Sequence, residues 1–161
     1  MSSVVKSLAY GLIFALFIGF LALAAVIRLA PSDPAVWNVP VADGTAAIPG
    51  PCAGQVRQVA KGARATCLLP GTPAQVLARL DAIALAAPRT QALAGRPDQG
   101  RITWVARTLI MGFPDYITAE ATRTADGTRL DLYSRQRYGN GDWGVNAARL
   151  KVWLATLDQA G

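Results

Sequence analysis

The chain opens on an unbroken apolar run, Leu8 to Ile27, twenty positions without a charged residue. At ~1.5 Å per residue, a helix of that length covers the ~30 Å hydrocarbon core of a bilayer. Two readings of the run compete. A cleaved signal peptide would use Ala22-Leu23-Ala24 as its small-residue site. The run continues through Val26 and Ile27, and only Lys6 precedes it, which favours a retained single-pass anchor. Lys6 and the terminal amine face Arg28 across the span, a balance that leans toward the N-terminus inside.

Beyond Arg28 the periodicity is lost. Pro31 to Pro51 carries five prolines and no long repeat, and its Pro-Ser-Asp-Pro start stops the helix, so it reads as a linker. Arg64 to Leu69 reads as a short strand. Thr72-Pro73-Ala74-Gln75 then has the chemistry of a helix start, with Thr as N-cap, Pro at N1 and Gln at N3. Val76, Leu77, Leu80, Ile83, Ala84 and Ala87 follow at helical spacing, and Pro88 ends the helix. Gln91 to Gly100 reads as a polar loop and Arg101 to Leu109 as a strand, broken at Gly112-Phe113-Pro114.

Tyr116 to Thr124 and Thr128 to Arg137 alternate on either side of Asp126-Gly127, the strongest short-range hairpin signal. A two-residue Asp-Gly turn sets Thr122 opposite Asp131, Glu120 opposite Tyr133 and Tyr116 opposite Arg137. One face of the hairpin is polar. The other carries Ile117, Ala119, Ala121, Leu130 and Leu132 and packs on helices. A last helix, Ala147 to Asp158, aligns Leu150, Trp153, Leu154 and Leu157, with Asn146 as its N-cap.

The predicted architecture is therefore α+β: a single transmembrane helix, then a small antiparallel sheet of three or so strands packed with two helices. Its divisions are 1–30 (membrane anchor), 31–51 (Pro-rich linker) and 52–161 (α+β domain).

Composition adjusts this picture in two places. The net charge is +6, and past Ser32 every basic residue except Lys61 and Lys151 is an arginine. No nucleic-acid motif accompanies that charge, which reads first as a solvated arginine-rich surface and otherwise as attraction to lipid head groups; the expected partner is membrane lipid, through residues 8–27, and not nucleic acid. Cys52 and Cys67 are the only cysteines and histidine is absent. The two thiols are either unrelated or, in an oxidising compartment, joined in a disulfide. With so few soft ligands a zinc site is not expected, and no cofactor is assigned.

Tyr133 to Asn146, YSRQRYGNGDWGVN, concentrates arginines, a carboxylate and an amide on a glycine-rich turn. Ser134, Arg137, Gly139, Asp142, Gly144, Asn146 and Arg149 follow the C-terminal signature of the bacterial and plastid family known as domain of unknown function 1499. The chain resembles that family over about Cys52 to Leu157. Phe113 to Glu120, FPDYITAE, resembles an upstream family segment, with Tyr116 in place of an Asp. Tyr133 and Gln136 depart from the signature. The resemblance implies a fold and a neighbourhood rather than a reaction.

Gly139 to Gly144 also satisfies G-x-G-x-x-G, but no βαβ unit follows, so a dinucleotide site is excluded. Helix starts and arginine forks suit anions, which makes Arg135, Arg137, Asp142, Asn146 and Arg149 candidates for a phosphate or lipid head group. The competing reading is internal, with Asp142 and Glu120 holding those arginines as structural ion pairs. Glu120 and Asp131 share the polar face, as paired carboxylates of a glycosidase would. Ser134 lies on the apolar face without a histidine to activate it, and no catalytic residue is assigned. Two function classes remain: a non-catalytic, membrane-anchored interaction module, such as an accessory subunit of a bacterial inner-membrane complex with its domain in the periplasm, or a domain that binds or acts on an anionic ligand at the arginine-rich turn. Trp37, Trp104 and Trp143 are the candidate contact aromatics.

Overall fold

A computed structural model describes residues 3–160. Helix α1 (Ser3–Leu29) is long and apolar enough to cross a membrane and is the one candidate span among the described residues. Its side chains are exposed except near the end, where Ala24 and Ile27 are buried. A short turn of helix, α2 (Pro34–Trp37), follows, and its N-cap Asp33 accepts the Ala35 N–H at 2.9 Å.

The domain is a sheet backed by two helices. Its strands are β1 (Arg57–Val59), β2 (Gly62–Leu69), β3 (Thr90–Arg96), β4 (Arg101–Arg107), β5 (Pro114–Thr124) and β6 (Gly127–Gln136). They form one six-stranded sheet in the order β1-β2-β6-β5-β4-β3, antiparallel throughout. Helices α3 (Pro73–Ala86) and α4 (Val145–Gln159) cover one face. The fold is α+β, with twice the expected number of strands.

The core lies between that face and the helices. Ala63, Ala65, Ile102, Trp104, Ile117, Ala119, Leu130 and Leu132 meet Val76, Leu77, Leu80, Leu150, Trp153, Leu154 and Leu157. Trp104 meets Trp153 edge-on at 5.8 Å and donates its indole N–H to Asp81 at 2.8 Å. Trp104 is thus a core residue, not a contact aromatic. Helix α3 begins as its sequence predicts: Thr72 and Gln75 form a reciprocal capping box.

Three expectations need correction. Gln91 to Arg96, read as loop, belongs to β3. It is an edge strand paired on one side only, with a bulge between Ala92 and Ala94, so it lacks the apolar alternation of a covered strand. The hairpin register is displaced by two residues. Thr124 faces Gly127, Glu120 faces Asp131 and Tyr116 faces Arg135, which makes Ala125-Asp126 the turn. An even displacement leaves every side chain on its predicted face. Gly127 is a strand residue with φ 142°, where an added Cβ would lie 2.8 Å from the Leu69 carbonyl oxygen. Close approach between β6 and β2 is what demands glycine there.

The third correction concerns Pro31–Pro51. It has little regular structure, but it is no free tether. From α1 it crosses the polar face of the sheet, where Val41 is buried, and turns past Arg57 and Arg64 at Asp43. Ile48 then bridges to Cys67 along the part of β2 that β1 leaves uncovered. Cys52 and Cys67, both fully buried, are joined by a disulfide that pins the end of this strap to β2. Closing a loop of that size contributes about 3 kcal/mol. The Cys52 and Ala53 N–H groups donate to Asp158 at 3.0 and 3.1 Å, which fastens the same point to α4.

Candidate functional site

The polar sheet face combines Arg64, Tyr133 and Arg135 with Tyr116, Thr118, Thr103, Glu120 and Asp131. Across it lies the strap. Trp37 stacks on Tyr116 with ring centroids 3.7 Å apart. Arg135 sits beside both Trp37 and Tyr133, 5.2 Å from each ring, and Arg64 covers the Tyr133 ring at 3.9 Å. The result is an alternating row of rings and guanidinium groups. Backbone carbonyls of the strap accept from that row: Arg135 and Thr118 donate to the Trp37 oxygen at 2.6 and 3.1 Å, and Arg64 to Val41 at 2.6 Å.

The paired carboxylates of this face are engaged. Glu120 accepts from Arg101 and from the Val41 N–H, each at 3.0 Å. Burial pushes its carboxyl up, but those donors outweigh burial and hold it below the ordinary value. Asp131 accepts twice from Arg129, at 2.6 and 2.8 Å, and from Thr66 at 3.0 Å. Asp131 is buried and Glu120 half-buried, each with its oxygens held by these donors.

The five candidate residues of the turn do not converge. Arg135 and Arg137 lie on the polar face, and Arg137 donates to the Pro31 oxygen at 2.8 Å and to the Tyr116 hydroxyl at 3.3 Å. Asn146 and Arg149 lie on the helix side of β6. There Arg149 pairs with Asp115 at 2.9 Å and donates to Asn146 at 2.7 Å, while buried Ser134 donates to the same Asn146 oxygen. Burial raises the Asp115 carboxyl above its usual value even though Arg149 opposes it.

Among the described residues, Asp142 pairs with no arginine. Its two oxygens accept from the Gly144 and Asn146 N–H groups at 3.1 and 2.9 Å, and from the Gln58 amide at 2.7 Å. These bonds overcome the effect of burial and lower its pKa. They correct the capping assignment: α4 starts at Val145, behind Gly144 at φ 82°, and Asp142 satisfies the first amides from upstream. Asn146 lies inside the first turn and points inward.

Trp143, held at φ 52° between Asp142 and Gly144, is fully exposed. Tyr138 and Val145, near it in sequence, are exposed as well. Sequence reasoning passed over a second cluster at the end of α1, where Arg28, Arg89 and Arg107 come together around one cleft. Their wide separation along the chain hides the cluster. The local signal was Leu109-Ile110-Met111, an apolar run that no strand requires.

Residues 47–157 match the family described as "Protein of unknown function (DUF1499)". The match covers most of the chain, and the protein belongs to that family. No curated protein matches this sequence.

Proposed function

We propose that this protein is a non-catalytic interaction module held at a bacterial inner membrane by α1, with its domain in the periplasm, acting as an accessory subunit of a membrane protein complex. Trp143 carries the reading. A fully exposed tryptophan forfeits the largest hydrophobic gain available to any side chain, and here it sits on a turn fixed by three hydrogen bonds to Asp142. Rigid aromatic residues of this kind are the usual anchors of protein interfaces, because little entropy is lost when they dock. The engagement of Glu120 and Asp131 by arginines and amides supports a binding role over a catalytic one. The buried disulfide supports an oxidising compartment, and the charge distribution around the span agrees with it.

Purification of the full-length protein in mild detergent, followed by mass spectrometry, tests this reading. The expected result is a stoichiometric membrane-protein partner that Trp143→Ala loses while its thermal midpoint stays at the parental value. A protein that purifies alone, or a variant that keeps its partner in full, overturns it.

A further inference from the structure

Among the described residues, three arginines grouped around the end of α1 pair with no carboxylate. Arg28, the first charge after the apolar run, donates to the carbonyls of Leu109 and Ile110 at 3.0 and 2.6 Å. Its stem passes over Gly112 (φ 73°), where an added Cβ would lie 2.5 Å from the Arg28 Cγ. Arg107 donates to the Gly112 oxygen at 3.0 Å, and Arg89 donates to the Arg107 carbonyl at 3.1 Å. Among the described residues the ion-paired arginines are Arg57, Arg64, Arg96, Arg101, Arg129 and Arg149. Arg28, Arg89 and Arg107 keep most of their N–H donors free. They line a cleft of about 290 Å³ together with Gln91, Val105 and Thr108.

The position of the cleft selects its ligand. Ala24 and Ile27 are buried, and Arg28 is bonded to the Leu109 and Ile110 carbonyls, so the domain meets α1 at the end of the apolar run. A bilayer spanning Leu8 to Ile27 therefore ends at the level of Arg28. At that level Leu109 and Ile110, tied to Arg28 through their carbonyls, expose their side chains, 68% and 70% accessible. A cationic recess flanked by protruding aliphatic groups matches the boundary between head groups and acyl chains.

We propose that the Arg28–Arg89–Arg107 cleft binds the phosphodiester of an anionic phospholipid, with Leu109 and Ile110 seated among the acyl chains beside it. Guanidinium forks suit a phosphate that keeps one negative charge, and the absence of a competing carboxylate leaves that charge to the lipid. This inference rests on the membrane-anchored reading of α1.

The test uses full-length protein in nanodiscs of phosphatidylcholine, with or without phosphatidylglycerol. Phosphatidylglycerol should raise the thermal midpoint, and native mass spectrometry after detergent extraction should find it bound. Arg89→Gln/Arg107→Gln should lose both effects, read as the difference between its own midpoints with and without phosphatidylglycerol, so that any cost of losing the bonds to Gly112 and Arg107 cancels. Arg89→Lys/Arg107→Lys should retain part of the binding and shows whether the glutamine variant lost more than charge. Arg96→Gln/Arg123→Gln, with the same charge change elsewhere, should behave as the parent. Equal losses in that remote variant would reduce the effect to general surface charge and overturn the site. An equal rise produced by inorganic phosphate in phosphatidylcholine discs would make it a free-anion site and overturn the lipid assignment. Alkaline extraction separates the two readings: full-length chain released from membranes removes the anchor itself, whereas a retained chain without lipid preference removes only the cleft.

Discussion

The rings of Trp37 and Tyr116 lie 3.7 Å apart and within 10° of parallel. One belongs to the strap, the other to the middle of the sheet, and they join across a wide gap in the chain. Ser32 strengthens the junction through a 2.7 Å hydrogen bond to the Tyr116 hydroxyl.

Trp37→Ala should therefore loosen the strap while the sheet and its helix-side core remain folded. Loss of a stacked pair and an adjacent guanidinium contact amounts to roughly 1–2 kcal/mol. The expected outcome is faster proteinase cleavage between Asn38 and Pro51, with the fragment containing β2 to α4 staying resistant. Uniform digestion of the whole domain would mean that the strap is part of its cooperative unit.

Asp142→Asn should destabilise the domain by about 1 kcal/mol, because one of two accepting oxygens becomes a donor facing backbone N–H groups. Its dependence on pH has a definite sign. The folded-state pKa is below the ordinary 3.8, so the carboxylate's contribution is present above that value and is lost as pH falls through the lower folded value. The stability gap between parent and variant should thus be constant near neutrality and close at acid pH. Urea titrations at a series of pH values measure it. A gap that widens on acidification contradicts the capping role.

Gly127→Val should cost about 1–3 kcal/mol, since the backbone lies at φ 142° and the new Cβ would press on the Leu69 carbonyl. Asp126→Ala is the informative companion. Asp126 is an exposed turn residue without positive φ, and its replacement should shift stability by no more than about 0.5 kcal/mol. A large loss at Asp126 would restore the Asp-Gly turn that the sequence suggests.

Legibility in the sequence followed the range of the interactions. The capping box at Thr72 and Gln75 and the apolar stripe of α4 are local, and both were readable. The faces of β5 and β6 were readable because alternation survives an even displacement of register. The register itself was not, since Asp126-Gly127 imitates a turn whose glycine serves β2 instead. Strand β3 was hidden by its edge position. The strap was hidden because it is held by its own carbonyls, which carry no residue signature, accepting from Arg64, Arg135 and Arg137. Within the candidate turn, Asp142 and Trp143 were singled out by type. That Arg135 and Arg149 lie on opposite sides of one strand required the fold.

A free linker of the length of Pro31–Pro51 would extend to about 70 Å and let a domain search a wide volume around the end of α1. The bonds from Arg28 to Leu109 and Ile110, and from Arg137 to Pro31, remove that radius of action. On the membrane-anchored reading proposed above, the domain would travel with its helix as one lever, and tilting the helix would re-aim Trp143. A partner that docks on Trp143 would, on the same reading, have to come down to the bilayer surface.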